Sequence, residues 1–319
     1  MKRQYKIAAI QTVSNHVVAD NLKVAGELIA RAAGDGAELI ALPEYFCIMG
    51  QKETGKVDAR EPFAAGGAIG NSGNSGNHNN SGNHNNSGNH NNSGNHNNSG
   101  QTGNASPIQD FLASSAARHK VWLVGGTIPI DCGSAEKILN TSLVFNSDGQ
   151  CVARYDKIHL FGFRKTHDDG RVEQFDESRT IRHGTNAPVT LDSPFGKLGL
   201  SVCYDLRFPE MYRALSPKEA PCDVIFVPSA FTATTGKAHW EPLLRARAIE
   251  NLAYVLAPAQ GGKHSSGRRT HGHSMLIDPW GAVIAEKTDE GAGVVMGEIN
   301  LDLIAEHRAS LPALEHRTL

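Results

Sequence analysis

Residues 197–215 read KLGLSVCYDLRFPEMYRAL. The run Lys197–Cys203 is short and mostly apolar and ends on a thiol, the pattern of a buried strand. Phe208–Leu215 then reads as a helix with Pro209 in its first turn, where the missing N–H costs little. A buried cysteine is most often a small core residue. At a strand-to-helix junction, however, the N-terminus of the following helix would lower the thiol pKa and supply backbone N–H donors. Cys203 is therefore a candidate nucleophile.

Outward from this stretch the chain alternates strand and helix patterns. Lys6–Thr12, Leu39–Leu42, Val121–Ile128, Val224–Val227, Ala253–Ala257, Ser274–Ile277, Val283–Glu286 and Gly293–Asn300 read as strands. Leu139–Phe145 and Cys151–Tyr155 flank Asn146-Ser147-Asp148-Gly149, a hairpin turn. Asn21–Ala33 has Leu22, Ala25, Ile29 and Ala32 at helical spacing. Ile108–His119 is also helical, as is Ala238–Asn251, with Pro242 near its start. Many strands mixed with amphipathic helices and no evident linker indicate one layered α/β domain.

Two further strand ends carry reactive side chains. The apolar run LIALP (39–43) delivers Glu44, and RYDKIHLFGF (154–163) contains Lys157. Singly, each is an ordinary loop or surface residue. Together with Cys203 they supply what amide cleavage needs. The thiol attacks. Glu44 serves as base if burial raises its pKa. Lys157 and the Tyr204 N–H meet the negative charge of the tetrahedral intermediate.

Composition narrows the class. The chain has 319 residues, 39% apolar and 20% charged, with a net charge of −2, which gives no bias towards nucleic acid or an anionic membrane. Its five cysteines, 47, 132, 151, 203 and 222, form no C-x-x-C pair. That suits a reducing cytosol better than a disulfide framework or zinc knuckle. The basic N-terminus has too short an apolar run for a signal peptide, and no stretch approaches a membrane span. Pro62–Gln109 contains no charged residue, and inside it N-H-N-N-S-G repeats from Asn77 to Gly100. With no apolar position in the repeat, ordering it would bury nothing. About 64–106 is expected to be a disordered insertion, with His78, His84, His90 and His96 solvated rather than metal-binding.

LPEYF, YDKIHLF and SVCYDLRFPE, in this order, resemble the three catalytic signatures of the nitrilase, or carbon–nitrogen hydrolase, superfamily. The likeness continues through PSAFTATTGKAHWEPLLRARAIEN and HGHSMLIDPWG and covers everything except the insertion. It implies a four-layer α-β-β-α sandwich with a core of about 5–303, a homodimer formed through the outer helices or a higher homo-oligomer, and no metal or organic cofactor. Glu44, Lys157 and Cys203 match the family's base, lysine and nucleophile. A second glutamate is implied between the last two, and FDESRTIRHG nominates Glu177, with Glu173 nearby. Arg207 matches a position that holds a substrate carboxylate in related amidases; an ion pair with Asp205 or Glu210 is the structural alternative. Ser229 is expected in the pocket wall, and His239 and Glu241 are expected to brace the site from behind, with a direct catalytic contact as the alternative for Glu241.

The run from FTATTG to HGHSMLIDPWG is similar to the branch of deaminated glutathione amidases and ω-amidases. The resemblance thus implies cleavage of a small acid-bearing amide through a thioester. ω-Amidase, N-carbamoyl amino-acid hydrolase and nitrilase activities are alternatives within the class. A papain-like Cys–His enzyme using His159, His239, His264 or His271 would leave Glu44 and Lys157 idle. A non-catalytic scaffold or tether would use the insertion instead.

Overall fold

A computed structural model describes residues 2–64, 106–166, 168–185 and 187–318. In chain order its elements are β1 (Gln4–Gln11), α1 (Val18–Gly34), β2 (Leu39–Ala41), α2 (Gly55–Asp58), α3 (Pro107–His119), β3 (Trp122–Val124), β4 (Ile128–Asp131), β5 (Ile138–Phe145) and β6 (Cys151–Asp156). A hairpin of β7 (Gly162–Thr166) and β8 (Val172–Asp176) follows, then β9 (Val189–Ser193), β10 (Gly196–Leu200), α4 (Pro209–Leu215), β11 (Val224–Phe226), α5 (Ala233–Asn251) and β12 (Tyr254–Ala257). A second hairpin, β13 (Gly261–Lys263) and β14 (Arg269–His271), precedes β15 (Met275–Ile277), β16 (Val283–Glu286), β17 (Gly293–Asn300) and α6 (Leu301–Ser310).

Two sheets carry the fold. One has the order β17-β1-β2-β3-β5-β4, with β6 also on β5; the other has the order β16-β15-β12-β11-β10-β9. Alternation along a strand sends successive side chains to opposite faces. Ile7 and Ala9 accordingly share a core with Leu198, Leu200 and Val224 of the second sheet. Ala8 and Ile10 instead meet Ala25 and Ile29 of α1 and Leu112 of α3. Tyr212 and Leu215 of α4 and Trp240, Leu244 and Ala248 of α5 complete the core on the second sheet. This is the expected α-β-β-α sandwich. Strands covered on both faces explain why LIAL is a continuous apolar run rather than an alternating one.

Several boundaries differ from the sequence reading. Val121–Ile128 is two strands, broken where Gly126 adopts φ +54°. The helix read from Ala238 begins at Ala233, because Thr232 caps it by accepting the Thr235 N–H at 3.2 Å. Pro242 therefore lies in the helix interior. The chain also continues past 303 into α6, capped by the Asn300 side chain. The insertion read at about 64–106, with its four repeat histidines, lies outside the described residues apart from its edges.

The break at Gly126 serves the loop that follows β2. A methyl group there would come within 2.1 Å of the Pro43 carbonyl oxygen, whereas one at Gly133, also at positive φ, would meet nothing within 4 Å. Gly126→Ala is expected to cost more than about 2 kcal/mol of stability, and Gly133→Ala about 1 kcal/mol or less. Paired thermal melts check this, and Gly126→Ala should also lose activity because the loop it displaces carries Glu44.

Candidate active site

Glu44 follows β2 and Lys157 follows β6, both in the first sheet; Cys203 follows β10 in the second. Two of these exits are sharp elbows. Tyr45 has φ +53° and Cys203 φ +50°, left-handed values rare outside glycine. The Tyr45 N–H donates to Thr127 Oγ1 at 2.9 Å, and the Cys203 N–H to the Pro228 carbonyl at 3.0 Å. Asp205, fully buried, accepts from the Val202 N–H at 2.8 Å and from the Tyr155 hydroxyl at 2.7 Å. His159 donates to it from its backbone N–H at 3.1 Å and lies 2.7 Å away through Nδ1. One buried carboxylate thus ties the Cys203 elbow to the segment that carries Lys157.

Lys157 and Glu44 are each 1% exposed. The Lys157 ammonium donates to Glu44 Oε1 at 2.9 Å and to Glu177 Oε2 at 2.7 Å. Glu44 also accepts from Asn140 Nδ2 at 2.9 Å and from the Ala230 N–H at 3.0 Å. Glu177 accepts in addition from the Phe161 N–H at 2.8 Å. Burial alone would push the Lys157 ammonium down; Glu177 and Glu44 outweigh it and hold it well above its ordinary value. Glu177, not Glu173, is thus the second glutamate in contact with the lysine. Glu173 instead accepts from the Thr234 hydroxyl at 2.9 Å.

The thiol departs from expectation. Burial, then the charge of Glu44, pushes the Cys203 thiol well above its ordinary value, and Lys157 opposes only part of this. The expected helix dipole is missing at that point. Cys203–Arg207 is a 3-10 turn, and α4 starts only at Pro209.

Cys203, Glu44, Glu177, Tyr204, Arg207 and Arg268 line one chamber with about 10 Å³ of free space, room for about one water. Arg207 pairs with neither Asp205 nor Glu210. It lies 5.5 Å from the Phe231 ring and bonds to His239 Nδ1 at 3.2 Å, so His239 does back a chamber residue. Ser229 is buried behind the wall, its hydroxyl given to the Val227 carbonyl at 2.9 Å. Glu241 does not brace the site. The phase of α5, set by buried Trp240, Leu244 and Ala248, leaves it exposed and paired with Arg245 at 3.4 Å. No histidine among the described residues lines the chamber, which removes the Cys–His reading. His264, for one, is occupied by the Ser14 carbonyl and Thr270.

Sequence reasoning missed Asn140, the Ala230 N–H and Arg268. Asn140 had a signal: it is a polar residue in a strand, ILNTSLVF, whose eight positions are all buried. The other two had none, since a backbone N–H and a hairpin-tip arginine leave no pattern in a single sequence. Among the described residues no cluster of His, Cys, Asp and Glu could hold a metal ion.

The sequence model of the carbon-nitrogen hydrolase family matches residues 6–309. The chain belongs to the carbon–nitrogen hydrolase family. It is 40% identical over 317 residues to a deaminated glutathione amidase of Synechocystis sp., covering 99% of this chain and 98% of that protein. Among solved structures, Saccharomyces cerevisiae Nit3, a member of branch 10 of the nitrilase superfamily, superposes with a TM-score of 0.77 at 27% identity, over 100% of this chain and 98% of that one. The Caenorhabditis elegans NitFhit protein gives 0.77 at 32% identity, over 99% of this chain and 66% of its own.

The two charge contacts of this carbon–nitrogen hydrolase can be separated from its surface. Glu44→Gln should lower turnover by at least about a hundredfold and Glu177→Gln by at least about tenfold, as for loss of a base or of an electrostatic support. Glu241→Gln, on the exposed face, should stay within about twofold of the parent. Steady-state kinetics on the three purified variants make the comparison.

Proposed function

We propose that this amidase hydrolyses a small acid-bearing amide, with deaminated glutathione as the favoured substrate and Cys203 as nucleophile. The observation that carries the reading is the Glu44–Lys157–Glu177 cluster, whose Glu44 and Glu177 share the Cys203 chamber. The thiol attacks the carbonyl carbon while its proton passes to Glu44. An ammonium has three donors; Lys157 gives two to its glutamates, and the third, with the Tyr204 N–H, meets the oxyanion. Collapse breaks the C–N bond, and Glu44 returns the proton to the departing amine. Glu44 then takes a proton from water as it attacks the thioester, and the acid leaves as the thiol is restored.

The substrate assignment rests on two supports. The 40% identical Synechocystis relative is a deaminated glutathione amidase. Arg207, in the chamber and free of carboxylate partners among the described residues, suits the 2-oxo acid carboxylate of such a substrate, because a guanidinium grips a carboxylate with two parallel bonds. We further propose a homodimer. Ile249 of α5 and Trp280 are 46% and 56% exposed, and the proximity of Ile249 to Gly281, the neighbour of Trp280 in the chain, makes this side an apolar candidate for the contact. The described cysteines are all free, which suits the cytosol.

The test compares kcat/KM for deaminated glutathione and for the methyl ester of its 2-oxo acid carboxylate. The acid should be preferred by at least about tenfold, the weight of one charge-assisted contact. Arg207→Lys should shrink that preference, and Cys203→Ala should abolish turnover. Equal constants for acid and ester would move the substrate to a neutral amide.

A further inference from the structure

A second cavity of about 540 Å³ adjoins the Cys203 chamber, walled by Glu173, Phe175, Thr234 and the tip of the β13–β14 hairpin. Among the described residues Arg268 alone lines both. Its guanidinium lies 4.8 Å from the centre of the Phe175 ring, and its Nη2 donates to the Ala230 carbonyl at 3.2 Å. Its Nε is buried and makes no hydrogen bond. The neighbouring arginines are otherwise engaged: Arg171 pairs with Asp169 at 2.5 Å and Arg269 with Glu290. Among the described residues no carboxylate lies within ion-pair distance of Arg268. Glu53 does feel its charge, but Glu53 is engaged by Lys56 at 2.9 Å. Arg268 is therefore a fork held by an aromatic face and one long bond, with donor capacity to spare at the boundary of two cavities.

An amide has two halves, and they need different places. The acyl half stays on Cys203 and belongs in the chamber. The amine half departs and needs a place on the side of Arg268 away from the thiol. The outer basin is within the size range of small-molecule sites. We infer that Arg268 holds an anionic group on the amine half of the substrate, so that the preferred class is an amide with a carboxylate on each side of the scissile bond. Arg207 lines only the chamber and reads the acyl side; Arg268 reads the departing side and seats it in the basin. Anchoring both ends fixes the carbonyl over the thiol. This rests on the amidase reading and assigns to Arg268 the carboxylate of the departing half.

Arg268 also has a structural alternative. It braces the Ala230 peptide, whose N–H holds Glu44, and loss of that brace would slow every substrate alike. Deaminated glutathione and its C-terminal amide separate the two roles, because they differ only in the charge on the departing dipeptide. For the parent enzyme, kcat/KM should favour the acid by at least about tenfold, the weight of a charge-assisted hydrogen bond. Arg268→Met should remove that preference mainly through KM, so that the acid loses at least about tenfold more than the amide. Arg268→Lys should keep part of it, as a point charge without the fork. Turnover of the amide substrate reports that each variant is folded. Equal hydrolysis of both substrates by the parent, or an equal loss on both in Arg268→Met, overturns the inference and leaves the amidase reading standing. Failure of the parent to hydrolyse either substrate overturns both.

Discussion

A lysine ammonium buried between two glutamates is the constraint on which this structure depends. Lys157 is 1% exposed and bonded to Glu44 and Glu177. A buried charge is tolerated only when paired and hydrogen-bonded, so the three side chains must arrive together or the interior is left with an unpaired ion. The cluster of one cation and two carboxylates has a net charge of −1. A thiolate at Cys203 would add a second negative charge in a space that holds almost no water. Burial and these charges together hold the Cys203 thiol above its ordinary value.

Much of the surrounding backbone serves that placement. The Lys157 N–H donates to the Asn140 carbonyl at 2.9 Å, while the Asn140 side chain donates to Glu44. The Glu44 carbonyl accepts from Gln260, which also donates to Ser14 at 2.9 Å. Across the interface, Tyr155 of the first sheet bonds to Asp205 beside the Cys203 elbow. The sandwich thus joins its two sheets by apolar packing along their length and by hydrogen bonds where the chemistry is. The arginines around the chamber differ in kind: each rests on an aromatic ring and a 3.2 Å bond, contacts weak enough for a carboxylate to replace.

The strands were legible where their side chains face two apolar layers, as in LIAL, or where a turn is spelled out, as at Asn146–Gly149. The β7–β8 hairpin was not, because GFRKT and VEQFD lie largely in solvent and do not alternate apolar with polar residues. The split between β3 and β4 was hidden as well, since only the distant Pro43 loop requires the Gly126 bend. At the site, Glu44, Lys157 and Cys203 stood out because each ends a strand-like run with a reactive group. The ionisation of Cys203 was misread, because the local stretch suggests a helix N-terminus while the dominant charges come from residues 44 and 177. Glu241 was misplaced for a similar reason: its exposure follows from a helix phase set by Trp240 and Leu244 against the second sheet.

The position of the thiol proton before substrate arrives decides whether Glu44 is needed as a base. Ultraviolet thiolate absorbance can be followed with pH in the parent and in Cys203→Ser, the difference isolating this one sulfur. A thiol held up by burial and by Glu44 should show no Cys203 thiolate at neutral pH, with the signal emerging only above the ordinary thiol value of 9.0. A full thiolate equivalent at neutral pH, lost in Cys203→Ser, would mean a preformed thiolate–Lys157 pair and would contradict the role of Glu44 as the base that takes the thiol proton.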